Sequence, residues 1–130
     1  MSQRRRVAIT GLGLVTPVGN DVASTWSALL AARSGAARIA SFDASGFSVR
    51  IAAEVKALDE AAVVRAAGDR KLLKLANRSH RFALVAAAQA LADAGIRPSA
   101  ATAARWGCVV GTGMMGVSYD ELAQVQREAA

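Results

Sequence analysis

The chain contains one cysteine and one histidine among its 130 residues, and this scarcity excludes several kinds of site. A lone thiol cannot form an internal disulfide, and Cys108 together with His80 falls short of the four ligands that structural zinc usually takes. Proteins without disulfides are typical of the reducing cytosol. The predicted localisation is therefore cytoplasmic.

Aromatic residues are also few, at 5% of the chain, whereas hydrophobic residues make up 53%. A core of small and aliphatic side chains favours helices packed on a sheet, so the composition predicts one domain of the α/β class. The most apolar long stretch, residues 82–95, contains Gln89 and Asp93 and is too short to span a bilayer. We therefore expect a protein that does not associate with membranes.

Residues 7–10 are β-prone and lead into a loop rich in turn formers, which predicts a buried strand followed by a tight turn. Asn20 or Asp21 is suited to cap the helix that follows, and Gly35 is predicted to end it. Residues 36–68 are predicted to form a cap-like excursion. Within it, an alternation of apolar and polar residues predicts a half-exposed strand over residues 47–55.

Residues 69–94 show one long helical pattern that stops at Gly95, and its second half, residues 82–91, is almost wholly apolar. A helix that is apolar all round is buried, so we expect this one to lie inside something larger and the chain to be incomplete. A second short strand, residues 105–110, precedes a glycine-rich turn. The order of elements predicts a layered α/β sheet whose later strands are missing.

The glycine-rich turn, Gly111, Gly113 and Gly116, matches the GxGxxG pattern of dinucleotide-binding proteins. Those proteins also need an acidic residue about twenty positions later, at the end of a second strand. We therefore favour a tight turn against packed backbone, with a small nucleotide-binding domain as the remote alternative. Cys108 is predicted to be a structural residue that behaves as a small hydrophobe inside the preceding apolar strand. His80 is predicted to be a surface or interface histidine in the middle of the long helix.

A cluster of positive charge surrounds the start of the predicted long helix, in a chain whose formal net charge is +6. Its members are Arg65, Arg70, Lys71, Lys74, Arg78, His80 and Arg81. Leucines stand between them, which suits either a solvated helix face or the docking of an acidic protein by steering and short-range contact. Nucleic acid is a less suitable partner, because no aromatic residues are interleaved with the charges.

Several segments of the sequence resemble the opening of β-ketoacyl-(acyl carrier protein) synthases of the elongating type. They are RRVAITGLGLVTPVGNDVASTWSALLAARSG, FDAS, DRK, ADAGI and RWGCVVGTG, and together they extend from residue 4 to about residue 121. The resemblance implies a thiolase-like fold, of which residues 1–130 would be the first part of the amino-terminal half. It also implies an acyltransferase that condenses acyl groups with malonyl-carrier protein in fatty-acid biosynthesis, with polyketide assembly as the open alternative, and without a metal or redox cofactor.

The nucleophilic cysteine, the two histidines and the lysine of that family fall after the matched positions. The resemblance therefore implies that the chain is an inactive fragment without catalytic residues. Arg70 and Lys71 match the basic pair that grips the acidic carrier protein, although Ala67 stands where a further basic residue is frequent. Met114 matches a position that lines the acyl pocket, while Met115 replaces a common glycine.

The partners that the resemblance implies are acyl carrier protein and, for the complete enzyme, a second copy or a complementary chain. An alternative of a different class is a non-catalytic protein that binds carrier protein or pairs with a complementary chain.

Overall fold

The structure is a computed structural model that describes residues 6–113 and Glu128. Its elements, in chain order, are α1 (Val22–Leu30), β1 (Ala36–Arg38), β2 (Ile51–Ala53), α2 (Glu60–Ala67), a 3₁₀ helix (Leu72–Lys74), α3 (Arg78–Asp93) and a second 3₁₀ helix (Ala103–Arg105). This mixture of helices and strands is consistent with the predicted α/β class. None of the described helices has the length and apolarity that crossing a membrane requires.

Helix α1 begins where the sequence predicts. Asp21 is extended, and its Oδ1 accepts a hydrogen bond from the Ser24 amide at 2.7 Å. This bond satisfies an amide of the first turn that has no partner within the helix. The Ser24 backbone amide, followed by the Ser24 hydroxyl, holds the pKa of Asp21 below its usual range. The predicted cap is confirmed at Asp21.

Helix α1 ends before Gly35, so the stop predicted there is wrong. Ala32 adopts the left-handed conformation with φ of 51°, and the Arg33 amide donates to the Ala28 carbonyl at 2.9 Å. These features form a Schellman ending in which alanine stands at the position that glycine normally takes. Helix α3 ends in the same way, with Gly95 at that position and φ of 65°. The predicted stop of α3 is confirmed.

We expect Ala32→Gly to raise the free energy of unfolding by about 1 kcal/mol, because glycine adopts the left-handed conformation without the steric cost of alanine. The reciprocal change, Gly95→Ala, should lower it by about the same amount. Urea unfolding followed by circular dichroism measures both values. A loss of stability in Ala32→Gly would show that the alanine ending of α1 is not strained.

The prediction of one helix over residues 69–94 is wrong in its first part. Gly68 ends α2 in the left-handed conformation with φ of 70°, and α3 begins only at Arg78. The Asn77 side chain accepts the His80 amide at 3.1 Å, and His80 Nδ1 accepts the Asn77 amide at 3.3 Å. This capping box fixes the start of α3. His80 therefore lies in the first turn of α3 and not in the middle of a longer helix.

Residues 36–68 contain a two-stranded antiparallel sheet and α2. The sheet pairs β1 with β2, so the strand predicted over residues 47–55 is reduced to Ile51–Ala53. Helix α2 is not apparent in the apolar pattern of the sequence. Asp59 caps its start, because the Asp59 carboxylate accepts two amides of the first turn, at 3.0 and 3.1 Å. The cap-like role of this excursion stays a prediction.

The strands predicted over residues 7–10 and 105–110 pair with no other strand among the described residues. Val7 is 93% exposed and Val109 is 98% exposed. Extended backbone becomes a strand only where a neighbouring strand supplies hydrogen-bond partners, and no described segment does so here. The predictions of a buried strand over residues 7–10 and of a second short strand over residues 105–110 are therefore wrong for the described structure.

The core lies between α2, the first 3₁₀ helix and α3. Val63, Leu73 and Val85 form its buried cluster. On α3 only Val85 is buried among the described residues, and Ala87 is exposed. The burial of residues 82–91 inside something larger stays a prediction. Helix α3 contacts the core with one side and the amino-terminal segment with another.

The amino-terminal segment lies directly against the backbone of α3. A Cβ atom added at Gly13 would lie 1.9 Å from the Ala86 carbonyl oxygen, and one added at Gly11 would lie 2.1 Å from the Ala90 carbonyl oxygen. Real Cβ atoms do not approach other atoms so closely. The two glycines therefore permit the segment to pack on the alanine-lined side of α3.

Two polar side chains of α3 also hold this segment. The Leu12 amide donates to Asp93 Oδ2 at 2.9 Å, and the Leu14 amide donates to Gln89 Oε1 at 3.0 Å. Gln89 Nε2 in turn donates to the Asn20 carbonyl at 2.6 Å. One glutamine side chain thus fixes both ends of the loop that leads into α1, which positions α1 relative to α3.

Candidate functional site

Part of the basic cluster is occupied by partners within the chain. Arg81 forms an ion pair with Glu60, in which the single nitrogen Nη1 donates to both carboxylate oxygens, at 2.8 and 3.0 Å. Arg78 donates to the Val55 carbonyl, and its guanidinium lies 5.6 Å from the centre of the Phe82 ring. These two arginines connect α3 to α2 and to the segment before α2. Their charged groups therefore stabilise the packing of α3.

Two further members of the cluster have internal partners as well. Arg65 lies 3.4 Å from the Asp59 carboxylate, and His80 belongs to the capping box of α3. The members that remain have no carboxylate within 4.0 Å among the described residues; they are Arg70, Lys71 and Lys74. The structure therefore reduces the cluster to a small set of cations that are available to a partner.

These available cations share one run of 3₁₀ geometry, which we call the 3₁₀ segment (residues 69–76). The amides of residues 72–76 donate to carbonyls three positions earlier, at distances of 3.2–3.3 Å. Asp69 starts the segment, because its Oδ1 accepts the Lys71 amide at 2.8 Å. The segment lies between Gly68, which ends α2, and Asn77, which caps α3. The two helix boundaries leave too few residues for another α-helix between them.

The leucines of the 3₁₀ segment lie in opposite environments. Leu73 is only 7% exposed and packs in the core, whereas Leu72 is 58% exposed and Leu75 is 88% exposed. Leu73 therefore anchors the segment. The other two leucines remain at the surface beside the available cations.

The anchored segment forms one wall of a shallow surface depression of about 380 Å³. The depression is lined by Glu60, Arg70, Lys71, Leu73, Lys74 and Arg81. Glu60 is neutralised by Arg81, so the charges that a partner meets here are positive. Such a surface attracts anionic groups and raises the rate of encounter with an acidic protein. Its lining consists of charged side chains and Leu73, an arrangement suited to binding anionic groups.

The structure brings the predicted pair Arg70 and Lys71 to one surface, but not in the predicted place. They precede α3, which begins at Arg78, instead of forming the first turn of the predicted long helix. Their role in binding carrier protein stays a prediction. Lys74 was part of the predicted cluster but was not singled out. Met114, the predicted acyl-pocket residue, lies outside the described residues.

Cys108 is exposed and lies in no strand, contrary to its predicted place inside an apolar strand. A Cβ atom added at Gly111 or Gly113 would meet nothing within 4 Å, so the predicted packing of these two glycines against backbone is wrong. Gly116 lies outside the described residues. The nucleotide-binding alternative requires a strand before this turn, and residues 106–113 form none. Within the described ranges, no three His, Cys, Asp or Glu side chains converge as metal ligands.

Known proteins match this chain consistently. The family model described as beta-ketoacyl synthase, N-terminal domain, matches residues 4–130. Relatives named 3-oxoacyl-[acyl-carrier-protein] synthase 2 are 42% identical over 119 residues in Coxiella burnetii, 38% over 118 in Vibrio cholerae and 36% over 126 in Staphylococcus aureus strain COL. These alignments cover 92%, 91% and 97% of this chain, but only 28%, 28% and 30% of the relatives. The chain thus spans less than a third of their length.

Proposed function

Because this chain belongs to the β-ketoacyl synthase family, we propose that it forms the amino-terminal region of a 3-oxoacyl-(acyl carrier protein) synthase. Such an enzyme is a transferase that condenses acyl groups with malonyl-carrier protein in fatty-acid biosynthesis. The proposal is supported by the family match over residues 4–130 and by several relatives that carry this name. Within the enzyme we assign this region to binding and not to bond formation.

The binding role we propose is the docking of acyl carrier protein on Arg70 and Lys71. The observation that carries it is the presence of these cations on an open depression, with no carboxylate within 4.0 Å among the described residues. Cations of this kind keep their full attraction for an acidic partner, since no internal ion pair must first be broken. The names of the relatives include acyl carrier protein, which agrees with this choice of partner.

Finer features of the family belong to the same proposal. They are the thiolase-like layering, assembly with a second copy or complementary chain, the cytoplasmic location and a place for Met114 in the acyl pocket. The exposed apolar side chains of residues 7–10 and 106–110 support the layering and the assembly, because neighbouring strands would cover them. Large exposed apolar patches usually mark surfaces that another part of the protein or another chain covers.

We expect the double substitution Arg70→Glu and Lys71→Glu to weaken the binding of acyl carrier protein to this chain about 30-fold. Each screened surface contact contributes about 1 kcal/mol, and the two losses add to about 2 kcal/mol. Isothermal titration calorimetry at low and high salt measures the change. The difference between the parent and the variant should shrink as salt screens the charges.

The matched control is Arg33→Glu with Arg97→Glu, which changes the net charge equally at exposed positions away from the depression. It should weaken binding far less than the test pair. Equal weakening by the two double variants would mean that overall charge attracts the carrier protein, and the docking proposal would then be withdrawn.

A further inference from the structure

A second depression, of about 340 Å³, is formed by the loop that joins β1 to β2. It shares no residue with the depression of the 3₁₀ segment. Two arginines take part in it, and neither has a carboxylate within 4.0 Å among the described residues. The full lining is Arg38, Ile39, Phe42, Asp43, Ala44, Ser45 and Arg50. The proposed function makes no use of this site.

The loop between the two strands is held in shape by its own contacts. The Glu54 carboxylate of the strand region accepts the Ala40 amide at 2.9 Å. The Phe47 amide donates to the Ala44 carbonyl at 3.1 Å, and the Phe42 and Phe47 rings meet edge to face with their centres 5.7 Å apart. A depression that is already formed binds a ligand at a lower cost in conformational entropy.

The two arginines lie where the sheet opens into the loop. Arg38 is the last residue of β1, and the Ile39 amide donates to the Arg50 carbonyl at 3.0 Å. Arg50 Nε donates to the Phe47 carbonyl at 3.0 Å, which orients the guanidinium and leaves both Nη groups without a partner among the described residues. Guanidinium groups bind phosphate oxygens through paired hydrogen bonds. Two of them on one depression favour an oxyanion with several oxygens.

The rest of the lining consists of apolar side chains and one carboxylate. Ile39, Phe42 and Ala44 are each at least partly buried and supply the apolar surface. Asp43 accepts the Ser45 amide at 2.9 Å and the Ser45 hydroxyl at 3.1 Å. The amide bond, followed by the hydroxyl bond, holds the pKa of Asp43 below its usual range. The lining therefore carries two positive charges and one negative charge at neutral pH.

From this arrangement we propose that the loop between β1 and β2 binds a phosphate monoester whose organic group is apolar. The phosphate lies between Arg38 and Arg50, and the organic group contacts Phe42. A phosphate monoester carries a charge of about −1.5 to −2 at pH 7, so it gains more from two guanidinium groups than a carboxylate does. Apolar walls with a few placed polar groups are typical of small-ligand sites. A soluble ester and a lipid headgroup share this chemistry.

The test measures the affinity of this chain for phenyl phosphate by isothermal titration calorimetry. We expect phenyl phosphate to bind about tenfold more tightly than inorganic phosphate, because its ring contacts the apolar lining. Arg38→Gln with Arg50→Gln should weaken its binding about 20-fold, through the loss of hydrogen bonds between charged groups. The matched control, Arg33→Gln with Arg97→Gln, makes the same change of net charge at exposed positions outside the depression.

Asp43 provides a test of the opposite sign. Asp43→Asn removes the negative charge of the lining, while the new amide oxygen retains the ability to accept the Ser45 amide. We expect phenyl phosphate to bind about threefold more tightly to this variant, because a repulsion between like charges is removed. Unchanged or weaker binding would mean that the phosphate does not lie in this lining, and the proposal would be withdrawn.

Vesicles distinguish the two sources of the phosphate. Sedimentation of the chain with phosphatidylcholine vesicles that contain phosphatidic acid, lost in the Arg38 and Arg50 variant, would assign the site to a lipid headgroup if phenyl phosphate does not bind. Binding of phenyl phosphate without sedimentation would assign it to a soluble ester. The absence of both, or equal weakening by the Arg33 and Arg97 control, would overturn the proposal. Equal affinities for phenyl phosphate and inorganic phosphate would overturn the role of the apolar lining.

A single variant separates ligand binding from the stability of the loop. Arg50 also holds the loop through the Phe47 carbonyl, whereas the Arg38 side chain makes no hydrogen bond or ion pair among the described residues. We therefore expect Arg38→Gln alone to weaken the binding of phenyl phosphate about fivefold and to melt at the temperature of the parent chain. Unchanged affinity in this variant would contradict the place of Arg38 in the site.

Discussion

Replacing Gly13 by alanine is expected to lower the free energy of unfolding by about 3 kcal/mol, which is the upper end of the usual cost of overpacking. The new Cβ atom would lie 1.9 Å from the Ala86 carbonyl oxygen and 2.8 Å from the Ala90 amide nitrogen. These are backbone atoms of α3, so no change of rotamer relieves the overlap. The amino-terminal segment must move away from the helix, and the hydrogen bond between the Leu14 amide and Gln89 would be lost.

Urea unfolding of the chain measures this effect, with Gly107→Ala as the control. A Cβ atom added at Gly107 meets nothing within 4 Å, so the control should change stability by less than about 0.5 kcal/mol. Adding Ala86→Gly to Gly13→Ala should not restore stability, because the obstructing oxygen belongs to the backbone. Equal unfolding midpoints for Gly13→Ala and Gly107→Ala would show that the segment does not lie on α3 as described.

Replacing Leu73 by alanine is expected to cost about 3 kcal/mol of stability, through lost burial and the cavity that remains. Leu73 is 7% exposed and packs with Val63 and Val85. Because the same side chain anchors the 3₁₀ segment, its loss should also weaken the binding of acyl carrier protein. Denaturant unfolding and binding measured on the same preparation would show both effects.

The control for Leu73 lies two residues away on the same segment. Leu75 is 88% exposed, so Leu75→Ala should leave stability within about 0.5 kcal/mol of the parent. Leu73 and Leu75 are the same residue type and lie only two positions apart, so a difference between the two variants would reflect burial alone. A similar loss in both variants would contradict the assignment of one leucine to the core and the other to the surface.

The parts of the fold that depend on nearby chemistry were predictable from the sequence. Asp21 caps α1 and Gly95 ends α3, and both act through hydrogen bonds or backbone conformation within a few residues. The same capping rules could also have predicted the helix boundary at Asn77, because asparagine is a preferred N-cap residue. An apolar pattern over residues 69–94 concealed that boundary, because periodicity counts apolar side chains and takes no account of the caps between them.

The contacts that join distant residues could not be predicted in this way. Gly11 and Gly13 have the composition of a turn, and only the folded chain shows that α3 passes beside them. Periodicity could not show either that residues 7–10 lack a neighbouring strand within the described structure. Sheet formation depends on partners that local sequence does not specify.

The candidate site was partly predictable. Arg70 and Lys71 could be named from the sequence, since charge density and family resemblance indicated the same positions. The sequence could not show which cations are available to a partner, because their availability depends on ion pairs within the chain. The Glu60 carboxylate that pairs with Arg81, for example, lies 21 positions away. The 3₁₀ geometry that separates Leu73 from the two exposed leucines likewise required the backbone hydrogen bonds.

The attachment of the amino-terminal segment to α3 has a consequence for the order of events during synthesis. The hydrogen bond from the Leu12 amide to Asp93 joins residues 81 positions apart. At typical rates of translation, the ribosome needs about 4–16 s to add that many residues. During this interval the segment has emerged before the helix that receives it, and its apolar side chains are available to chaperones. Because closing so large a loop is entropically costly, we expect this contact to form late in folding, after α2 and α3 have packed through the short connection between them.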